Sequence, residues 1–174
     1  SLRTNKNGSD ATYRLAEIKF RAMNDLDSAF ELYSEIVKKS RQRSIRFLAG
    51  LRIIDLYLAK GDIDSAKKQI LGFMEKFKSK EELEALQIKK SQIQFYAGEL
   101  DSVRNSLREL MKTLSKEDHR YNDLLDVQSS TIAFRDHPEL FITFTDVQLL
   151  LRQNKRTLAI DQLEKLFDSP ITII

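Results

Sequence analysis

The 174-residue chain has no cysteine, only two prolines and five glycines, and no long apolar run. Without cysteine there can be no disulfide, no thiolate metal site and no cysteine nucleophile. The same absence suits an oxidising compartment as well as a reducing one, so cytoplasm and periplasm both stay open. Scarce Pro and Gly favour long helices over a turn-rich β design. No stretch approaches the roughly 20 apolar residues of a membrane span. No signal peptide is legible, yet the chain opens on Ser1 rather than Met, so a processed or excised chain is the expectation. A dominant charge is missing too. Lys and Arg number 29 against 26 Asp and Glu, a net +3. Although the isoelectric point is about 9.0, no strong global field draws in nucleic acid. What is there, 41% hydrophobic and 32% charged residues, is the composition of a soluble globular protein with a substantial core.

Against this background one pattern stands out. Asn24-Asp25-Leu26-Asp27-Ser28-Ala29, Gly61-Asp62-Ile63-Asp64-Ser65-Ala66 and Gly98-Glu99-Leu100-Asp101-Ser102-Val103 recur at a step of 37 residues. A worn fourth copy is Asn154-Lys155-Arg156-Thr157-Leu158-Ala159. A fixed period of this length means stacked copies of one supersecondary unit. Each signature reads as a helix-to-helix turn. The Asn or Gly takes positive φ and closes the preceding helix, and the second acid (Asp27, Asp64, Asp101) caps the next one.

The apolar periodicity predicts helices over about 10–23 and 27–39, 44–60 and 64–78, 81–97 and 101–114, then 140–153 and 157–167. Leu51, Ile54 and Leu58 on one helix, and Ile70, Phe73, Met74 and Phe77 on its partner, show the stripes of packed hairpins. The beat then fails, since Val103 to Ala159 is 56 residues instead of 37. The excess predicts an inserted helix over 119–134, ended by Asp136-His137-Pro138-Glu139, with Pro138 in the first turn of the next helix. Spacer and docking element are both open for that insertion. The expected organisation is a flexible segment 1–9, repeats over 10–43, 44–79 and 80–115, the inserted helix over 118–135, and a repeat over 137–168. Asp168-Ser169-Pro170 reads as a helix stop. Ile171-Thr172-Ile173-Ile174 then leaves hydrophobics where a polar capping helix is usual, so 171–174 reads as the truncation point of a longer chain.

From Asp10 to Phe167 the chain resembles the tetratricopeptide repeat family, on Tyr13, Ala16, Phe20, Ala29 and Tyr33 in the first unit. Tyr57, Gly61, Ala66 and Ile70 carry the likeness in the second, Ser91, Gly98 and Leu107 in the third, and Leu150, Ala159 and Leu163 in the fourth. Ile54 stands where a small residue is usual, Gln94 where an aromatic is, and the period exceeds the family's 34 residues. Such degenerate repeats look like those of bacterial helical-repeat proteins. The resemblance implies an all-α, right-handed superhelical solenoid of antiparallel hairpins, about four repeats plus one inserted helix. Its first helices would line a concave groove that holds an extended peptide or a partner's helix. An ordered basic clamp for a terminal carboxylate is not found at matching positions.

Projected onto the first helices, the groove comprises Arg14, Ile18 and Arg21, then Leu51, Asp55 and Leu58, then Ile88, Gln92, Phe95 and Tyr96, then Phe144, Gln148 and Leu151. An apolar strip of this kind either binds a partner or is covered by the inserted helix or a neighbouring repeat. A basic edge is formed by Lys38, Lys39, Arg41 and Arg43, and one repeat later by Lys76, Lys78 and Lys80. It could meet acidic protein, phospholipid headgroups or nucleic acid, but cations at helix C-termini also simply complement the dipole. His119 and His137 sit beside helix starts with no short-spaced ligand set around them. No serine lies in a nucleophile elbow, and no Gly-rich phosphate loop occurs. We therefore expect no catalytic, metal or cofactor site, and a non-catalytic protein–protein interaction scaffold that binds a peptide or partner helix. The alternative is a sensor or regulatory module of a larger protein, with a nucleic-acid adaptor third because no base-reading code recurs between units. Self-association is a further expectation, from ends without obvious caps.

Overall fold

The computed structural model describes residues 6–115 and 117–167. The described residues form nine α-helices and no strand, so the chain is all-α. They are α1 (Lys6–Arg21), α2 (Leu26–Lys39), α3 (Arg43–Lys60), α4 (Ile63–Lys76), α5 (Lys80–Tyr96), α6 (Leu100–Thr113), α7 (His119–Ala133), α8 (Pro138–Arg152) and α9 (Arg156–Phe167). Two compact units divide at 82/83. No helix among the described residues is long and apolar enough to cross a membrane.

The turns show why the helices begin where they do. Asn24, Gly61, Gly98 and Asn154 have φ of 51°, 77°, 68° and 60°, the left-handed conformation that Asn and Gly tolerate. Beyond each, an amide reaches back to close the finished helix: Asp62 N–H to the Tyr57 carbonyl at 2.8 Å, Glu99 to Gln94 at 3.0 Å, Lys155 to Leu150 at 2.9 Å. The caps correct the sequence reading. Asp25 and Asp62, not Asp27 and Asp64, accept the Ser28 and Ser65 amides at 3.2 and 3.0 Å. One left-handed residue already ends the helix, so the next residue is the N-cap. The second acid then falls inside the first turn, as Asp27 and Asp64 do. Glu99 occupies the third N-cap position without a side-chain cap hydrogen bond, and Asp101 lies in the first turn of α6.

Residues 6–9, expected as flexible, are helical. Ser9 and Thr12 are buried, and Thr12 Oγ1 donates to the Gly8 carbonyl at 2.8 Å. Residues 1–5 and 168–174, with the helix stop and the truncation point assigned to them, lie outside the described residues.

In the first unit, α1, α2 and α3 share one core. Ala16, Ala29, Tyr33, Ile36, Ile45, Ala49, Ile53 and Leu56 are buried together, with Tyr13, Phe20 and Tyr57 packed on them. The small residues let the backbones approach. Between α3 and α4, Gly50 does the same: a Cβ there would stand 2.2 Å from the Phe73 ring. Phe73 in turn meets Phe77 edge-on at 5.6 Å.

In the second unit, Val103, Leu107, Leu110 and Leu114 of α6 and its C-cap bury Leu124 of α7, with Ile88 and Phe95 of α5 against them. A second cluster joins Leu100, Phe134, Leu140 and Phe141 to Phe95 and Phe144. Its rings meet at centroid distances of 5.0–6.1 Å. Gln94, unexpected in an aromatic's place, accepts a hydrogen bond from Ser106 Oγ at 2.7 Å, so its amide oxygen is satisfied within the packing of α5 and α6.

The helix over 119–133 falls in step with the others rather than outside the series. Arg43, Lys80, His119 and Arg156 open α3, α5, α7 and α9 at steps of 37, 39 and 37 residues. Leu26, Ile63, Leu100 and Pro138 open α2, α4, α6 and α8 at steps of 37, 37 and 38. The extra two residues sit in the loop from Leu114 to Asp118, five residues long where Phe77–Ser79 has three. What lapses is the turn signature, because Arg135-Asp136-His137-Pro138-Glu139-Leu140 stands where a fourth copy would fall.

Candidate functional site

Within the first unit, Arg14, Ile18 and Arg21 lie exposed on α1, and Leu51 is half-buried on α3. Asp55 and Leu58 are 4% and 0% exposed and belong to the interior, not to an accessible groove. The cause is the position of α3, which packs against α1, α2 and α4 and is therefore buried almost continuously from Ile53 to Ala59.

Asp55 instead joins a polar cluster that pins α1, α2 and α3 together. Arg52 donates through Nε to Glu17 Oε1 at 2.7 Å and through Nη1 to Asp55 Oδ2 at 3.1 Å. The Tyr33 hydroxyl donates to the same Glu17 oxygen at 2.5 Å, and Arg21 Nε pairs with Glu17 Oε2 at 2.8 Å. Tyr13 meets the Tyr33 ring edge-on at 5.5 Å. Burial, and then the hydrogen bond to Glu17, push the Tyr33 phenol far above its ordinary range. Burial works against the Arg52 guanidinium, but Tyr13, Glu17 and Asp55 outweigh it and hold Arg52 firmly charged. Each member of this cluster is bound to another, so it fastens helices together.

All seven residues of the expected basic edge, Lys38, Lys39, Arg41, Arg43, Lys76, Lys78 and Lys80, are exposed. Two of them are engaged. Lys39 pairs with Glu35 at 3.2 Å. Arg43 forms two bonds to Glu82 at 2.9 Å and lies 5.0 Å over the Phe77 ring. Lys38, Lys39 and Lys76 stand in last turns, where cations favour the helix dipole.

The second unit holds the more selective geometry. Ile88, Gln92, Phe95 and Tyr96, all taken as groove positions, line one cavity of about 320 Å³ with Ser91 of the same helix. Its far side comes from Arg120, Asp123, Leu124 and Val127 of α7 and from Arg152 of α8. Phe144 and Gln148 are half-buried and Leu151 is exposed. None of the three lines the cavity, Phe144 being packed in the aromatic cluster.

The residues missed by sequence reasoning are those of α7 and Arg152. A signal for one of them was present. The position two places beyond a 37-residue step from Ile88 is Val127, which becomes visible once α7 is counted in the series.

Ser91, Gln92 and Arg120 in the cavity wall already hold hydrogen-bond partners. Ser91 Oγ donates to the Ile88 carbonyl at 2.8 Å, and Gln92 accepts from Lys89 Nζ at 2.8 Å. Arg120 holds Asp118 through Nε at 2.9 Å and Nη2 at 2.5 Å, and this hydrogen bonding keeps its guanidinium charged. The Arg152 guanidinium lies 5.4 Å over the Tyr96 ring. The space is at the small end of ligand clefts and is walled by Ile88, Phe95, Tyr96, Leu124 and Val127, so it suits a large apolar side chain with a polar edge.

Elsewhere, His137 Nδ1 is 3.5 Å from Glu139 Oε1, and the side chain of His119 lies outside the described residues. Among the described residues no group of three His, Asp or Glu side chains is placed to hold a metal ion. Compared with family models, with curated proteins and with solved structures, the chain matches none of them.

Proposed function

We propose that the chain is a tetratricopeptide-like helical-repeat scaffold that binds a peptide or helix of a protein partner, anchored by one large apolar side chain in the cavity of α5, α7 and α8. The observation that carries this reading is the convergence of Ile88, Gln92, Phe95 and Tyr96 with Leu124, Val127 and Arg152 on a single 320 Å³ space. Support for the repeat reading comes from the near-37-residue steps between helix starts and from four turns that share a left-handed residue. An anchor residue in a preformed pocket gives most of the affinity in such recognition, and the surrounding contacts give register.

Selection of random peptides on the immobilised chain tests this. Enriched peptides should share a Phe, Tyr, Trp or Leu anchor, and Val127→Phe, which fills the cavity, should abolish their binding while far-ultraviolet circular dichroism is unchanged. Enriched peptides that bind the filled variant equally well would refute the reading.

A further inference from the structure

The cavity of α5, α7 and α8 has walls of unequal chemistry, and the difference bears on which anchor it takes. On one wall Phe95 and Tyr96 set their rings edge to face, at 5.5 Å between centroids and 82° between planes. The Arg152 guanidinium stands 5.4 Å over the Tyr96 ring. All three residues line the same space of about 320 Å³. A guanidinium is planar and more weakly hydrated than an ammonium, so it stacks readily on ring faces. A ring entering this cavity therefore meets two aromatic rings and a cation already seated against one of them.

The other polar side chains of the wall have different commitments. Arg120 holds Asp118 at 2.5 and 2.9 Å and lies 3.7 Å from Glu84, so carboxylates offset its charge. Ser91 donates to the Ile88 carbonyl, and Gln92 accepts from Lys89. Asp123 brings a negative charge to the same wall, which opposes an acidic anchor. What discriminates among apolar guests is the Phe95, Tyr96 and Arg152 group. The face of an aromatic ring is negative and its edge positive, so an aromatic guest is attracted both by ring edges and by a cation. A saturated guest of equal size has no such charge pattern and gains only burial.

We propose that the partner's anchor is an aromatic side chain, and that Arg152, seated on Tyr96, is the residue that selects it over an aliphatic one of the same size. This rests on the cavity reading above and narrows it from a large apolar anchor to an aromatic one.

The test is fluorescence anisotropy with a labelled peptide from the selection above, resynthesised with Phe, cyclohexylalanine or Glu at its anchor. The saturated ring has nearly the shape of Phe and is the more hydrophobic, so a merely apolar hole would hold it at least as well. The whole chain should bind the Phe peptide roughly fivefold or more tighter than the cyclohexylalanine peptide, and the Glu peptide weakest. Arg152→Met should cut the preference to about twofold or less by weakening the Phe peptide alone. An unchanged affinity for the cyclohexylalanine peptide then shows that the cavity of the variant is intact. Equal binding of the two ring peptides, a preference undiminished in Arg152→Met, or tightest binding of the Glu peptide would overturn the inference. Where Val127→Phe still abolishes binding in those cases, the cavity reading stands without it. Binding of every peptide indifferent to Val127→Phe would overturn both.

Discussion

Glu17 is a single carboxylate that takes the Tyr33 hydroxyl and the Arg52 and Arg21 guanidiniums, so three helices depend on one charge. Glu17→Gln keeps the shape but leaves the part-buried Arg52 with weaker acceptors. It should cost about 1–3 kcal/mol, read as a lower urea midpoint. The Tyr33 phenol titrates abnormally high in the fold, so its contribution is complete below the ordinary tyrosine value and is lost as pH rises above about 10. Thermal stability should therefore decline on the alkaline side, and Tyr33→Phe should flatten that decline. The caps act at the opposite end of the scale. Hydrogen bonds from Ser28 and from Ser65 hold Asp25 and Asp62 below the usual carboxylate range. Their stabilisation is present above the unfolded value near 4 and fades as pH falls through the folded one. Asp25→Ala with Asp62→Ala should lower the melting temperature at neutral pH and make little difference in strong acid.

Among the elements, the helices were legible because their apolar faces and turn residues agree, and their ends fell within a few residues of those expected. The caps were misread by two residues, since two acids stand in each turn and only the backbone geometry decides which one precedes the helix. The role of α7 was harder to read because Arg135-Asp136-His137-Pro138 turns the chain without a left-handed residue: Phe134 caps α7 at φ −97°. A motif search sees the signature and not the spacing of helix starts. Gly50 was also silent in the sequence. A glycine in mid-helix is costly by itself, and its reason is the Phe73 ring lying where a Cβ would be. Gly50→Ala, which improves most helices, should here destabilise by about 1–3 kcal/mol through overpacking. Gly50→Ala combined with Phe73→Leu should recover part of the loss by calorimetry.

Across the whole chain, a repeated helix pair presents equivalent positions with different side chains. Successive steps carry Arg14 to Leu51, to Ile88 and, with the two added loop residues, to Val127. Such a series puts changing side chains at equivalent helix positions, and this is why the all-α class could be read from the sequence while a function could not. The period specifies the repeated helix pair, and the side chains at equivalent positions vary within it. The expected groove was legible only as a set of helix positions. Asp55 and Leu58 dropped into the interior, whereas Ile88, Gln92, Phe95 and Tyr96 came together because α7 stands opposite them.

The most direct measurement is a methyl-resolved NMR titration of the chain with a selected peptide, following Ile88, Leu124 and Val127. Saturable shifts concentrated on those three methyl-bearing residues, and absent from Leu71 and Ile142, are the result this account predicts. Shifts spread over exposed methyls, with the cavity residues unmoved while the peptide binds, would contradict it.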